Sequence, residues 1–135
     1  MGINKDVSDF RLKRIHTHRD LIVWQRSMDL CVETYRIASL LPAHERFVLR
    51  QQMCRGGISV PSNIAEGHGR MVKGDFGRHL MFSRGSLCEL DTQFNLCQRL
   101  GYLDSHELVK AVNLGDEVGR LLWGLLQKIG YRAWR

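Results

Sequence analysis

The stretch FGRHLMFSRGSLCELDTQFNLC, residues 76–97, decides the fold. Phe76, Leu80, Ser83, Leu87, Leu90, Phe94 and Cys97 recur at alternating spacings of four and three. Residues spaced this way share one face of a helix, and an apolar face of that width is buried against other helices. The pattern predicts a helix over 72–100, closed by Gly101, which takes a left-handed cap conformation at little cost.

Downstream, Asp104-Ser105-His106-Glu107 reads as a helix start. Asp104 is the N-cap and Glu107 stands three residues on, the arrangement of a capping box. Leu108, Val112, Val118, Leu122, Leu125 and Ile129 form the buried stripe of this fourth helix, and Gly130 follows it. The link Gly101-Tyr102-Leu103 is too short for anything but an antiparallel return.

Upstream, Trp24, Met28, Cys31, Tyr35 and Ala38 suggest the core stripe of a first helix, with Asp20 as its N-cap. That helix is expected to end near Leu41, since Pro42 disfavours helical geometry in the residue before it. A second helix is expected to begin near Pro42–Glu45, where a proline fits the first turn. Its stripe is Leu49, Met53, Gly56, Val60 and Ile64, with Cys54, Ile58 and Ala65 beside it. Pro61 presses on the carbonyl of Gly57, four residues back, so a continuous but kinked helix is expected. Gly67 or Gly69 is expected to cap it.

These readings give an all-α chain: an antiparallel up-down-up-down four-helix bundle with a kinked second helix. Residues 20–130 form the bundle, 1–19 a flexible basic arm and 131–135 a frayed end. At 135 residues the chain suits one domain with a core of its own. No apolar run is long enough for a membrane span, and the amino terminus lacks the apolar segment of a signal peptide. A cytoplasmic location is the expectation, with no membrane partner. Cys31, Cys54, Cys88 and Cys97 form no CxxC pair and read as small buried residues.

The net charge is +6. Residues 1–19 hold five basic and two acidic side chains, residues 128–135 hold three basic ones, and residues 20–127 balance at twelve of each. The whole excess therefore lies at the two ends of the chain. Basic tails contact nucleic acid or acidic partners, or serve as solvated tails that aid solubility.

Chemistry is sparse. The six histidines form no His-x-x-x-His or Glu-x-x-His pair on one helix, so neither metal nor cofactor is expected. Gly67-His68-Gly69 lacks the rest of a phosphate loop, and no nucleophile elbow is present. No catalytic residue, enzyme activity or small-molecule substrate is expected. The most unusual stretch is Gln51–Gly67, where Gly, Ser, Pro and Asn crowd into a helix. Ser59, Asn63 and Glu66 share one face of it, and Gln52 extends the same polar motif. That face either hydrogen-bonds inside the bundle, to Ser86 or Glu89 of the third helix, or binds a partner.

Three segments carry a family resemblance: LIVWQ at 21–25, QMCRGGISVPSNIAEG at 52–67 and GSLCEL at 85–90. Together they resemble the four helix bundle protein family, some of whose members are encoded in intervening sequences of 23S ribosomal RNA genes. The resemblance covers residues 21–127. Gly56-Gly57 departs from the alanine-rich pair usual there. The resemblance implies an antiparallel four-helix bundle and a ring-like homopentamer. It also implies a distant kinship to an accessory protein of diversity-generating retroelements, which binds nucleic acid and a reverse transcriptase.

The leading expectation is a non-enzymatic oligomer that associates with RNA or another nucleic acid. Arg11, Lys13, Arg14 and Arg19 are the candidate phosphate contacts, joined by Arg55, Arg70 and Lys73 near the end of the second helix. The alternative is a protein-interaction scaffold with no nucleic-acid role, docking through the face of Ser59, Asn63 and Glu66.

Overall fold

A computed structural model of the chain describes residues 17–131. Four helices carry the fold: α1 (Ile22–Ala38), α2 (Leu49–Gly69), α3 (Lys73–Arg99) and α4 (Ser105–Lys128). Short 3-10 turns at His18–Asp20 and Ala43–Glu45 precede α1 and α2, and no strand occurs among the described residues. Each helix packs on its neighbours in the order α1–α2–α3–α4 and back to α1, a four-cornered bundle. The α2–α3 contact is the most extensive and α3–α4 the least.

Partners across the α1–α4, α2–α3 and α3–α4 contacts run in opposite chain order, Arg26 and Glu33 of α1 facing Glu117 and Lys110 of α4. On α2 and α3, Gly67 meets His79, Ser59 meets Ser86, Gly56 meets Leu90 and Met53 meets Cys97. On α3 and α4, Gly77 meets Tyr131, Arg84 meets Trp123 and Leu87 meets Gly115. Leu30, Ile37, Met53, Val60, Ile64, Leu80, Leu90, Val118 and Leu122 are fully buried along the centre.

The cap of α4 forms as expected. Asp104 accepts from the Glu107 N–H at 2.8 Å, and Glu107 accepts from the Asp104 N–H at 3.0 Å. Gly101 closes α3 at φ +77°, with Tyr102 N–H donating to the Cys97 carbonyl and Gly101 N–H to that of Gln98. This paired closure satisfies carbonyls that the helix end would otherwise leave bare.

Several expectations need correction. Asp20 does not cap α1: it closes the turn that begins at Thr17, and Leu21 stands at the N-cap without a side-chain bond. Residues 17–19, read as part of the arm, are folded in that turn. Helix α2 starts at Leu49, not near Pro42, because Val48 at φ −120°, ψ −93° breaks the helical run. Glu45 reaches across this break, accepting from the Leu49 N–H at 3.4 Å and from the Tyr102 hydroxyl at 2.8 Å. The helix runs unbroken through Pro61 to Gly69, as expected, but its left-handed terminator is Met71 at φ +59°, not a glycine. Tyr131, assigned to the frayed end, lies across Gly77.

The largest correction concerns α1. Its core stripe is Val23, Ser27, Leu30, Thr34 and Ile37, one position before the expected one, of which only Ala38 is buried. Ser27 and Thr34 donate to the carbonyls of Trp24 and Leu30 at 2.7 and 2.8 Å, so both hydroxyls are satisfied within the helix. They are also small enough to let α2 approach: Thr34 lies 3.4 Å from where a Cβ on Gly57 would stand. The more apolar stripe of Trp24, Met28, Cys31 and Tyr35 turns outward, half-buried or exposed, beside exposed Ile58 of α2. Among the cysteines only Cys97 is fully buried, its thiol pushed up to about 11 by burial, while Cys88 is exposed.

Candidate nucleic-acid interface

The antiparallel arrangement brings the start of α1, the end of α2, the start of α3 and the end of α4 to one pole of the bundle. At this pole the turn before α1 is fixed by Thr17, whose hydroxyl accepts from the Arg19 N–H at 3.2 Å. Gln25 donates to the Arg19 carbonyl at 2.8 Å, so the Arg19 backbone is held while its side chain is exposed. His18 packs edge-on against Trp24, ring centres 5.0 Å apart. Burial holds its pKa below the ordinary 6.5, and the charges of Arg19 and nearby His68 lower it further. His68 in turn packs edge-on against Phe76 at 5.5 Å.

Arg70 and Lys73 follow on either side of the sharp α2–α3 turn, both exposed. Arg70 reaches back to Glu66 at 2.9 Å. His79 is buried beside them, with Nδ1 2.9 Å from the Asp75 carbonyl and Nε2 3.3 Å from Glu66. A carbonyl and a carboxylate only accept, so both contacts are hydrogen bonds only for the doubly protonated ring. Hydrogen bonds from Arg70 and then His79 hold the Glu66 carboxyl below its ordinary range. Lys73 Nζ lies 3.6 Å from where a Cβ on Gly130 would stand, so the end of α4 returns beside the start of α3.

Arg19, Arg70 and Lys73 are thus gathered at one pole. Arg55 is not: it lies on α2 fourteen residues before Gly69, about 21 Å away along the axis at the ordinary helical rise. Arg11, Lys13 and Arg14 fall outside the described residues.

The polar motif of α2 is spent largely inside the bundle. The Ser59 and Ser86 hydroxyls are 2.7 Å apart, and Asn63 donates to the Ser59 carbonyl and hydroxyl at 3.0 and 3.1 Å. Ser83 adds a buried bond to the Val60 carbonyl at 2.8 Å. Gln52 and Glu89 are exposed and stand outside this network. Ser83 appeared in the sequence only as a stripe position, and its neighbour across the interface, the carbonyl beside Pro61, leaves no trace in side-chain pattern. Among the described residues no three His, Cys, Asp or Glu side chains gather as a metal site. No helix among them is long and apolar enough to cross a membrane.

Residues 19–124 match the 23S rRNA-intervening sequence protein family. The chain belongs to that family. A solved protein of unknown function from the S23 ribosomal protein family of Bacteroides thetaiotaomicron has a similar structure, with a TM-score of 0.73. The two chains are 22% identical over 78% of this one and 99% of the other, a likeness of fold. No curated protein matches the chain. The match to the 23S rRNA-intervening sequence protein family spans α1, α2 and α3 whole and ends within α4, so it takes in most of the bundle together with Arg19, Arg70 and Lys73.

Proposed function

We propose that this member of the 23S rRNA-intervening sequence protein family is a non-enzymatic oligomer that holds RNA at its basic pole. The observation that carries the reading is convergence. Arg19, Arg70 and Lys73 stand at one end of the bundle, and the chain passes through that same end to residues 1–16 and to residues 132–135. The whole net charge of +6 belongs to the segments 1–19 and 128–135. Charge spread along a sequence has little effect on a polyanion; charge gathered on one surface neutralises adjacent phosphates and releases their counterions.

The outward stripe of α1 supports self-association. Met28, Val32 and Tyr35 of α1 and Ile58 of α2 are exposed on one side of the bundle, an apolar face of the kind that marks a protein contact. Several copies would multiply the pole and add avidity that one weak cluster lacks. A docking role for the face of Ser59 and Asn63 is less favoured, because those side chains bond within the bundle.

Electrophoretic retardation of single-stranded RNA by the intact chain, and by a chain cut to residues 17–131, tests the reading. The shortened chain is expected to bind at least about tenfold more weakly. Equal affinity of the two, or no binding by either, rejects it.

A further inference from the structure

Helices α3 and α4 leave a groove of about 710 Å³ between them. Its width comes from Gly115 and Gly119, at which an added Cβ would meet nothing nearer than Leu87 at 3.8 and 3.5 Å. The floor is apolar, with Leu87 and Phe94 among its residues. The mouth is charged and aromatic. Trp123 is 48% exposed, and the Arg84 guanidinium lies 5.4 Å from the centre of its ring. Arg120 lines the same groove and makes no ion pair or hydrogen bond among the described residues. Asp116 lines it too, yet pairs with neither arginine.

We infer that this groove holds an unpaired nucleotide of a bound RNA strand, its base stacked on Trp123 and its phosphate between Arg84 and Arg120. The inference rests on the reading of the basic pole and names a second contact for the same strand. Every base offers a π-face to an indole, and arginine matches phosphate with a planar fork of donors. Asp116 accepts from a ribose hydroxyl, a donor that an aliphatic ligand lacks. Position favours the same occupant. Trp123 stands five residues before Lys128, about 7.5 Å along the axis from the end of α4. A strand whose phosphates lie on the pole therefore reaches the groove directly. A duplex keeps its bases stacked on one another and offers none to Trp123.

The full chain carrying Trp24→Phe and Trp134→Phe keeps Trp123 as its single tryptophan. Its fluorescence is expected to be quenched by an oligouridylate and left unchanged by an RNA duplex of equal length. Trp123→Ala in the natural chain is expected to weaken binding of labelled oligouridylate by about fivefold or more. Arg120→Glu, at an exposed site that leaves the core untouched, should weaken it as well. Circular dichroism checks that each variant keeps its helices. Oligouridylate that binds without quenching, and equally well to all variants, overturns the groove and leaves the pole standing. Oligouridylate that does not bind the natural chain overturns both.

Discussion

Gly67 lets α2 pack closely on His79 of α3. A Cβ there would lie 2.6 Å from the Cβ of His79, an atom that cannot swing aside. Gly67→Ala therefore forces the helices apart or His79 out of its pocket, and should cost about 1–3 kcal/mol in chemical denaturation. A loss near zero would show that the helices yield freely. The neighbouring Met71 makes the opposite case. At φ +59° it holds a conformation that burdens any residue with a Cβ, and its side chain is 91% exposed. Met71→Gly should raise stability by about 1 kcal/mol, because strain is relieved and no packing is lost. Glu33 adds a pH-dependent contribution. Hydrogen bonding from Arg36 holds its carboxyl below 4.5; burial opposes this, and the charges of Arg36 and then Lys110 assist it. A lowered acid stabilises fully above about pH 4.5 and loses that contribution as pH falls through its folded value. Glu33→Gln should accordingly flatten the acid side of the stability curve below pH 4.5, read from denaturant midpoints. An identical acid limb in the variant would assign the effect elsewhere.

At the scale of the elements, α4 tests the caps. Its box is complete, so Asp104→Ala should cost about 1 kcal/mol and leave the rest of the bundle intact. A change within error would mean that packing alone holds that end. The helices α3 and α4 were legible in the sequence because large apolar residues such as Leu80, Leu90, Phe94, Val118 and Leu122 dominate their buried positions, despite buried His79 and Ser83, and because their ends carry local signals: Gly101, Asp104 and Gly130. The core face of α1 was not. Its buried positions include Ser27, Thr34 and Glu33, polar in sequence but satisfied by Trp24, Leu30 and Arg36 once folded. Its outer face carries Trp24, Met28 and Tyr35, which a search for apolar periodicity takes as core. The start of α2 is hidden in the sequence for a related reason. Pro42 is compatible with a first turn, but the break is made by the backbone at Val48 and bridged by Glu45, and neither leaves a composition signal. Of the candidate site, the motif of Ser59, Asn63 and Ser86 was visible from spacing. The gathering of Arg19, Arg70 and Lys73 needed the fold, since fifty residues separate the first two in sequence.

For the molecule as a whole, two surfaces define what the bundle offers. The apolar side of Met28, Tyr35 and Ile58 should join copies of the chain. Light scattering is expected to give about five times the chain mass of 15.6 kDa, and Met28→Glu with Ile58→Glu should release monomers that keep their helical content. A natural chain that elutes as a monomer would remove assembly and avidity together. Salt dependence probes the second surface, the basic pole. Binding of single-stranded RNA should weaken along a straight line in log–log coordinates, with a slope of about −0.7 per neutralised phosphate. Arg19→Glu with Lys73→Glu changes two exposed cations of the pole and should make that line measurably shallower. The same slope for the natural chain and this variant would mean that RNA is not held at the pole.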